Sequence, residues 1–145
     1  MTSPEMKSTI QGRKVYCMII KQLSVFLQNE QGRLEEVTDI LTKHSINISA
    51  LSIAETADYG VIRMVVNDIG KAAAALREEG FSVKISDVLC LETPDLPGEL
   101  HKNLKVLSGA GINLSYMYGY SNGGTARLII KVSDPVKAMQ LLKQL

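Results

Sequence analysis

The sequence predicts an α+β fold built from two copies of a β-α-β-β-α-β unit. Three observations lead there. The first is an internal repeat. Gln28 to Ser49 reads Gln-Asn-Glu-Gln-Gly-Arg-Leu, a helical run, then Ile-Asn-Ile-Ser, and Pro94 to Ser115 reads Pro-Asp-Leu-Pro-Gly-Glu-Leu, a helical run, then Ile-Asn-Leu-Ser. Gly32 and Gly98 stand 66 positions apart, as do Leu34 and Leu100, Leu41 and Leu107, Ile46 and Ile112, Asn47 and Asn113, and Ser49 and Ser115. A fixed period of this kind marks a duplicated structural unit. The second observation is that apolar spacing switches repeatedly between the helix and strand periods. The third is that helix-start signals recur at the same offset, Asp68 with Asp134.

The elements follow in order. Residues 1–14 are polar and unpatterned and are expected to form a disordered tail. Val15 to Leu27 is rich in β-branched and apolar residues, which suit a strand. Asn29 and Gly32 end it, and from Arg33 the residues Leu34, Val37, Ile40, Leu41 and His44 fall on one helix face. Glu35, Glu36 and Asp39 crowd the early turns, where the helix dipole favours them. Ile46 to Ile53 alternates as a half-buried strand. Asp58-Tyr59-Gly60 makes a turn, and Val61 to Val66 is a third strand. Asp68 caps a second helix with Ile69, Ala72, Ala73 and Leu76 inward, and Gly80 ends it. Phe81 to Ile85 is the fourth strand.

The second copy repeats this order. Val88 to Thr93 is a strand, and Pro94, Pro97 and Gly98 make the loop. Leu100, Leu104, Leu107 and Ala110 mark the helix, and Ile112 to Tyr120 is the next strand. Ser121-Asn122-Gly123-Gly124 is a hairpin turn, and Arg127 to Val132 is the third strand. Asp134-Pro135 opens the last helix, with Val136, Met139 and Leu142 inward. The expected domains are therefore 15–86 and 87–145. The second unit lacks its last strand, which would leave an edge unpaired. Residues about 13 to 20, a partner's strand, or a chain that continues further are three ways to fill it.

Composition narrows the function. The 145 residues carry a net charge of +1 with both signs interspersed, and 5% aromatics with no Trp. That is no electrostatic footprint for nucleic acid or membrane and no base-stacking platform. Cys17 and Cys90 have neither metal-ligand spacing nor a disulfide framework around them. A reducing cytoplasm is the expected compartment.

A strand, an Asn/Asp-x-x-Gly-x-Leu loop, a helix and an Ile-Asn-Ile strand resemble the ACT domain, a ferredoxin-like fold with helices on one face of an antiparallel sheet. Asn29, Gly32, Leu34 and Ile46-Asn47-Ile48 carry the resemblance in the first unit. Asp95, Pro97-Gly98, Leu100 and Ile112-Asn113-Leu114 carry it in the second. ACT domains are small-molecule sensor modules, usually for amino acids and usually attached to a metabolic enzyme. The resemblance implies a non-catalytic amino-acid-binding regulatory module, without cofactor or metal, expected as a homodimer with a possible metabolic enzyme partner. By the same resemblance the loop before the Gly and the Asn of the Ile-Asn-Ile strand contact the effector, often across a domain interface. The candidates are Asn29, Gly32, Arg33, Leu34 and Asn47 in the first unit, and Asp95, Gly98, Leu100 and Asn113 in the second.

The physical chemistry of these residues agrees. A Gly between a strand end and a helix start lets the backbone take positive φ and leaves unpaired N–H groups at the positive dipole end, which suits a carboxylate. A neutral Asn can donate to a carboxylate and accept from an ammonium. Asp95 stands where the first unit has Asn29, so the two sites need not be equivalent. Each residue also has a plainer role: turn glycines, an Asn satisfying loop backbone, an Asp shaping a turn. Tyr116, Tyr118 and Tyr120 share one sheet face and suit either packing or an interface. Arg63 and Arg127 sit at matching strand positions, facing solvent or an interface. His44 and His101 lack ligand partners. A regulatory or scaffolding subunit with degenerate pockets, docked on a metabolic enzyme, is the alternative. A phosphate loop ending in Arg33 is disfavoured because its repeat carries Glu99.

Overall fold

The computed structural model describes residues 6–10, 13–28, 30–55 and 58–145. The elements run β1 (Met6–Ile10), β2 (Arg13–Gln28), α1 (Arg33–Lys43), β3 (Ile48–Glu55), β4 (Tyr59–Val66), α2 (Ile69–Glu78), β5 (Ser82–Pro94), α3 (Glu99–Gly109), β6 (Leu114–Asn122), β7 (Thr125–Val132) and α4 (Pro135–Lys143). The chain divides into two compact units: Lys21–Ser86, and Asp87–Leu145 together with Met1–Ile20. The tandem α+β architecture is the one the repeat predicts. Two strands are longer than expected. The segments 81–85 and 88–93 merge into one 13-residue strand, β5, and β2 has 16 residues. Each of these two strands contributes residues to both units.

In the Lys21–Ser86 unit the strand order is β3-β4-β2-β5. Leu23 lies opposite Met64 and Val25 opposite Ile62, so these side chains share a face. That face is buried under α1 and α2 in a cluster with Leu27, Val37, Leu41, Ala72, Ala73 and Leu76. The opposite face carries Ser24, Arg63 and Ser52 in register. The second helix is stopped and started locally, as its sequence predicts. The Asp68 carboxylate accepts from Lys71 N–H at 3.1 Å, and Phe81 N–H closes on the Leu76 carbonyl at 3.0 Å beyond Gly80. His44 caps α1, with its Nδ1 2.9 Å from the Ile40 carbonyl oxygen.

In the second unit the order is β6-β7-β5-β2. No strand follows α4, and the fourth position is taken by the part of β2 up to Ile20. Of the three occupants the sequence allows, residues 13–20 are the one found. Cys17 and Ile19 accordingly pack with Leu89, Leu91, Leu107, Ile130, Ala138 and Leu142. β1 pairs antiparallel with β2, Met6 opposite Cys17 through Ile10 opposite Arg13, where a tail over 1–14 is expected; residues 1–5 and 11–12 lie outside the described residues.

Helix α4 opens as expected, with Asp134 accepting from Lys137 N–H at 3.1 Å and Pro135 at its first position. Val136 does not point inward; it is 54% exposed. Ala138 and Leu142, four apart, set the buried stripe, and Val136 lies two residues, about 200°, from Ala138. The buried side of α3 also differs. Glu99, Asn103 and Leu107 line it, while Leu100, Leu104 and Ala110 are half-buried.

Burial pushes the Cys17 thiol up from 9.0 to about 12, with Cys90 adding to the rise; the Cys90 thiol is raised as well, chiefly by burial. A raised folded-state value favours the neutral thiol in the fold. The stabilisation is complete below pH 9 and is lost as pH climbs towards 12.

Four outcomes follow for the folded chain. Leu41→Ala and Leu107→Ala, at equivalent core positions, should each cost about 2–5 kcal/mol in urea unfolding, and Asp68→Ala or Asp134→Ala about 1 kcal/mol. Stability measured from pH 8 upwards should fall beyond pH 9, and Cys17→Ala should flatten that fall. A thiol reagent at pH 8 should modify Cys90, which is half-buried, before Cys17, which is 1% exposed.

Candidate functional site

Gly32 and Gly98 each occupy the N-cap of a helix in the left-handed conformation, with φ +86° and +87°. An added Cβ would meet nothing within 4 Å at either position, so the need for Gly lies in the backbone and the space above it is open. Among the described residues, neither helix start has a side-chain cap. The first N–H of α1 reaches the Glu30 carbonyl only at 3.5 Å, and that of α3 reaches the Leu96 carbonyl at 3.2 Å. The helical ladder begins only at Glu36 and Lys102, whose N–H groups donate to the Gly32 and Gly98 carbonyls at 3.1 and 3.0 Å, so both glycines stand beside the positive end of a helix.

The two copies surround this common backbone with different charges. In the first unit Arg33 is half-buried, with its guanidinium 4.8 Å from the Phe81 ring centre and Nη1 2.7 Å from the Glu36 carboxylate. Leu34 is exposed, and Glu35 and Glu36 fill the first turn. In the second unit Asp95 is exposed, and its N–H donates to the Gly124 carbonyl at 2.9 Å, tying the loop to the β6–β7 turn. Glu99 is 4% exposed and its carboxylate lies 3.3 Å from Lys102 Nζ. Leu100 is half-buried. Asn29 lies outside the described residues.

Asn47 and Asn113 are both exposed and both held by their backbones. Asn47 N–H donates to Asn67 Oδ1 at 3.0 Å, and its carbonyl accepts from Asn67 N–H at 3.2 Å. Asn113 N–H donates to Ser133 Oγ at 3.0 Å, and its carbonyl accepts from Ser133 N–H at 2.9 Å. The loop residue before each second helix thus fixes the Asn backbone and leaves its amide facing outward. The structure does not bring Gly32 to Asn47 or Gly98 to Asn113. Each pair brackets an 11-residue helix, about 16 Å long at about 1.5 Å per residue. No small molecule spans that distance within one unit.

Other surface features are shallow. A groove of about 250 Å³ runs past α1 between Glu36, Asp39, Lys43, His44, Glu79 and Phe81. Lys43 Nζ is 2.9 Å from Asp39, and this hydrogen bond raises the Lys43 pKa. A groove with this many carboxylates does not invite an anion. On the second unit, Tyr116, Tyr118 and Tyr120 stand opposite Lys131, Ile129 and Arg127, on the face away from Met117 and Ile130, which belong to the helix-covered core. The tyrosines therefore do not pack under the helices. Arg127 Nε is 2.8 Å from Glu92. Among the described residues, no helix is long and apolar enough to cross a membrane.

One group escaped the sequence analysis. Thr93, Glu99 and Asn103 are buried polar residues on the facing sides of β5 and α3. Comparing the copies at the 66-residue offset would have marked them, since Leu27, Arg33 and Val37 hold the equivalent positions.

The sequence pattern of the ACT domain pair matches residues 18–145. A solved structure, protein BT0572 from Bacteroides thetaiotaomicron, shares 45% identity at a TM-score of 0.83, covering 88% of this chain and 89% of that one. The regulatory subunit of aspartate kinase from Thermus thermophilus has the same fold, with a TM-score of 0.64 at 13% identity, over 88% of this chain and 95% of that chain. In sequence, the chain is 36% identical over 66 residues to the acetolactate synthase small subunit of Haemophilus influenzae. It is 34% identical over 67 residues to the isozyme 3 small subunit of Escherichia coli. Each match takes in 46% of this chain and only 40% and 41% of those subunits.

Proposed function

The chain belongs to the ACT domain pair family, and on that basis we propose that it is a non-catalytic regulatory module that binds a small amino-acid-type carboxylate. The observation that carries this reading is the pair of uncapped helix starts behind Gly32 and Gly98, with open space above each glycine. A carboxylate placed there would accept from backbone N–H groups and lie at the favourable end of the dipole. The outward amides of Asn47 and Asn113 supply the neutral donor and acceptor that an amino acid's two charged groups need. Because about 16 Å separates the Gly and the Asn within a unit, a ligand touching both would take the Gly loop from one chain and the Asn from a second copy. The working form in this reading is a cytoplasmic homodimer. The first unit, with Arg33 beside Gly32, favours a carboxylate more than the second, where Asp95 and Glu99 flank Gly98.

The likeness to small subunits of acetolactate synthase supports a second role on the same scaffold, docking on a metabolic enzyme. The two roles separate in one experiment. A thermal-shift screen against the twenty amino acids should find at least one that stabilises the chain, by roughly 2.7 kcal/mol at about 100 times its dissociation constant. Gly32→Val should weaken that binding more than it lowers stability, and Gly98→Val should do so less. Sedimentation at micromolar concentration should show a dimer. If none of the twenty stabilises the chain while a stoichiometric enzyme is captured with it, the docking role replaces the sensor role.

A further inference from the structure

The second unit contains a buried polar cluster that its fold does not require. Thr93 and Asn103 are each 2% exposed, and Glu99 is 4% exposed. Thr93 follows Leu89 and Leu91 on the helix-covered side of β5, and Asn103 lies four residues from both Glu99 and Leu107 on the buried side of α3. Leu89, Leu91 and Leu107 belong to one core cluster, so Thr93 and Asn103 face the same interior. Asn103 Nδ2 donates to the Glu99 carbonyl at 2.8 Å, which fixes the orientation of the amide. That leaves Asn103 Oδ1 and Thr93 Oγ1 buried, without a hydrogen-bond partner among the described residues. Buried polar atoms of this kind are rare and costly in native proteins.

The first unit is an internal control. It builds the same strand, glycine cap and helix with Leu27 and Val37 at the positions of Thr93 and Asn103, and both are buried in its core. The polar pair therefore answers to something other than the fold. The chemistry of the cluster is that of an acceptor site: an amide oxygen and a hydroxyl without a partner among the described residues, next to the buried Glu99 carboxylate, which is paired with Lys102 at 3.3 Å. Arg33 takes the place of Glu99 in the first unit, so the two copies have opposite charge preference there. Gly98 precedes Glu99 in the chain, and a Cβ added there would meet nothing within 4 Å.

We propose that the β5–α3 interior behind Gly98, lined by Thr93, Asn103 and Glu99, binds a small cation bearing N–H donors, either ammonium itself or the head of a primary amine. Such a group donates to Asn103 Oδ1 and Thr93 Oγ1, the two buried acceptors without a partner among the described residues. The site does not depend on the amino-acid reading, because its probe carries no carboxylate.

The test compares ammonium chloride, methylammonium chloride, potassium chloride and tetramethylammonium chloride at equal ionic strength on the whole chain. Ammonium should raise Tm by about 2 °C or more over tetramethylammonium, which is too large and has no N–H. A shift with methylammonium as well identifies an amine head; a shift with ammonium alone identifies the free ion. The double change Thr93→Leu, Asn103→Val, which installs the first unit's residues, should abolish the difference and raise the basal Tm. Isotope-labelled ammonium should give a resonance protected from exchange in the wild-type chain, a measurement that needs no variant to fold. Equal Tm in ammonium and tetramethylammonium, a shift with potassium as large as with ammonium, an unchanged difference in the double variant, or no protected resonance would each overturn the proposal.

Discussion

A half-covered antiparallel sheet needs four strands to bury a core under two helices, and a chain of this length has to find eight strand positions from a limited supply. The constraint is met by two long strands. β2 gives its later residues to the Lys21–Ser86 unit as a first strand and its earlier residues to the other unit as a last strand; β5 gives residues to both as well. Neither core is complete without these. Leu23 and Val25 anchor one core and Cys17 the other, all on a single strand. The open features of the molecule, the glycine caps and the exposed Asn residues, are carried on frames closed in this way.

On these frames the duplication has kept the backbone and changed the side chains. The left-handed glycine caps differ by 1° in φ, and the Asn backbones are fixed by the same pair of hydrogen bonds, from Asn67 in one copy and Ser133 in the other. Around them, Arg33 has Glu99 as its counterpart, Leu27 has Thr93, and Val37 has Asn103. Backbone geometry tolerates no drift at a positive φ, because a side chain there is strained whatever its chemistry. The residues beneath are free to change provided the space stays filled. A shared scaffold with unlike electrostatics is the basis for two sites of different preference in one chain.

Much of the fold could be read without coordinates because the signals are short-range. Asp68 and Asp134 accept from an N–H three residues ahead, and Gly80 and Pro135 act on their own dihedrals. The sheet faces follow from alternation, so the exposed side of the Tyr row was legible as one face, although which face was not. Val136 was misplaced because three apolar residues at helical spacing fit more than one stripe, and only the packing of Ala138 and Leu142 selects between them. Glu99 and Asn103 were missed for the converse reason: polar residues are assumed to face water, and only packing against β5 shows otherwise.

By itself, the sequence determined the duplication, the order of the four helices and of the strands between them, the Asp caps, and the identity of the glycines and asparagines in question. These depend on neighbours within a few residues or on a period visible along the chain. Tertiary structure decided that β2 completes the second sheet, that a Gly and its Asn stand at opposite ends of a helix and cannot share a small ligand within one unit, and that Thr93 and Asn103 are buried. Each of those is a relation between residues distant in sequence, and hydrogen bonding and burial across such distances are set only when the chain has packed.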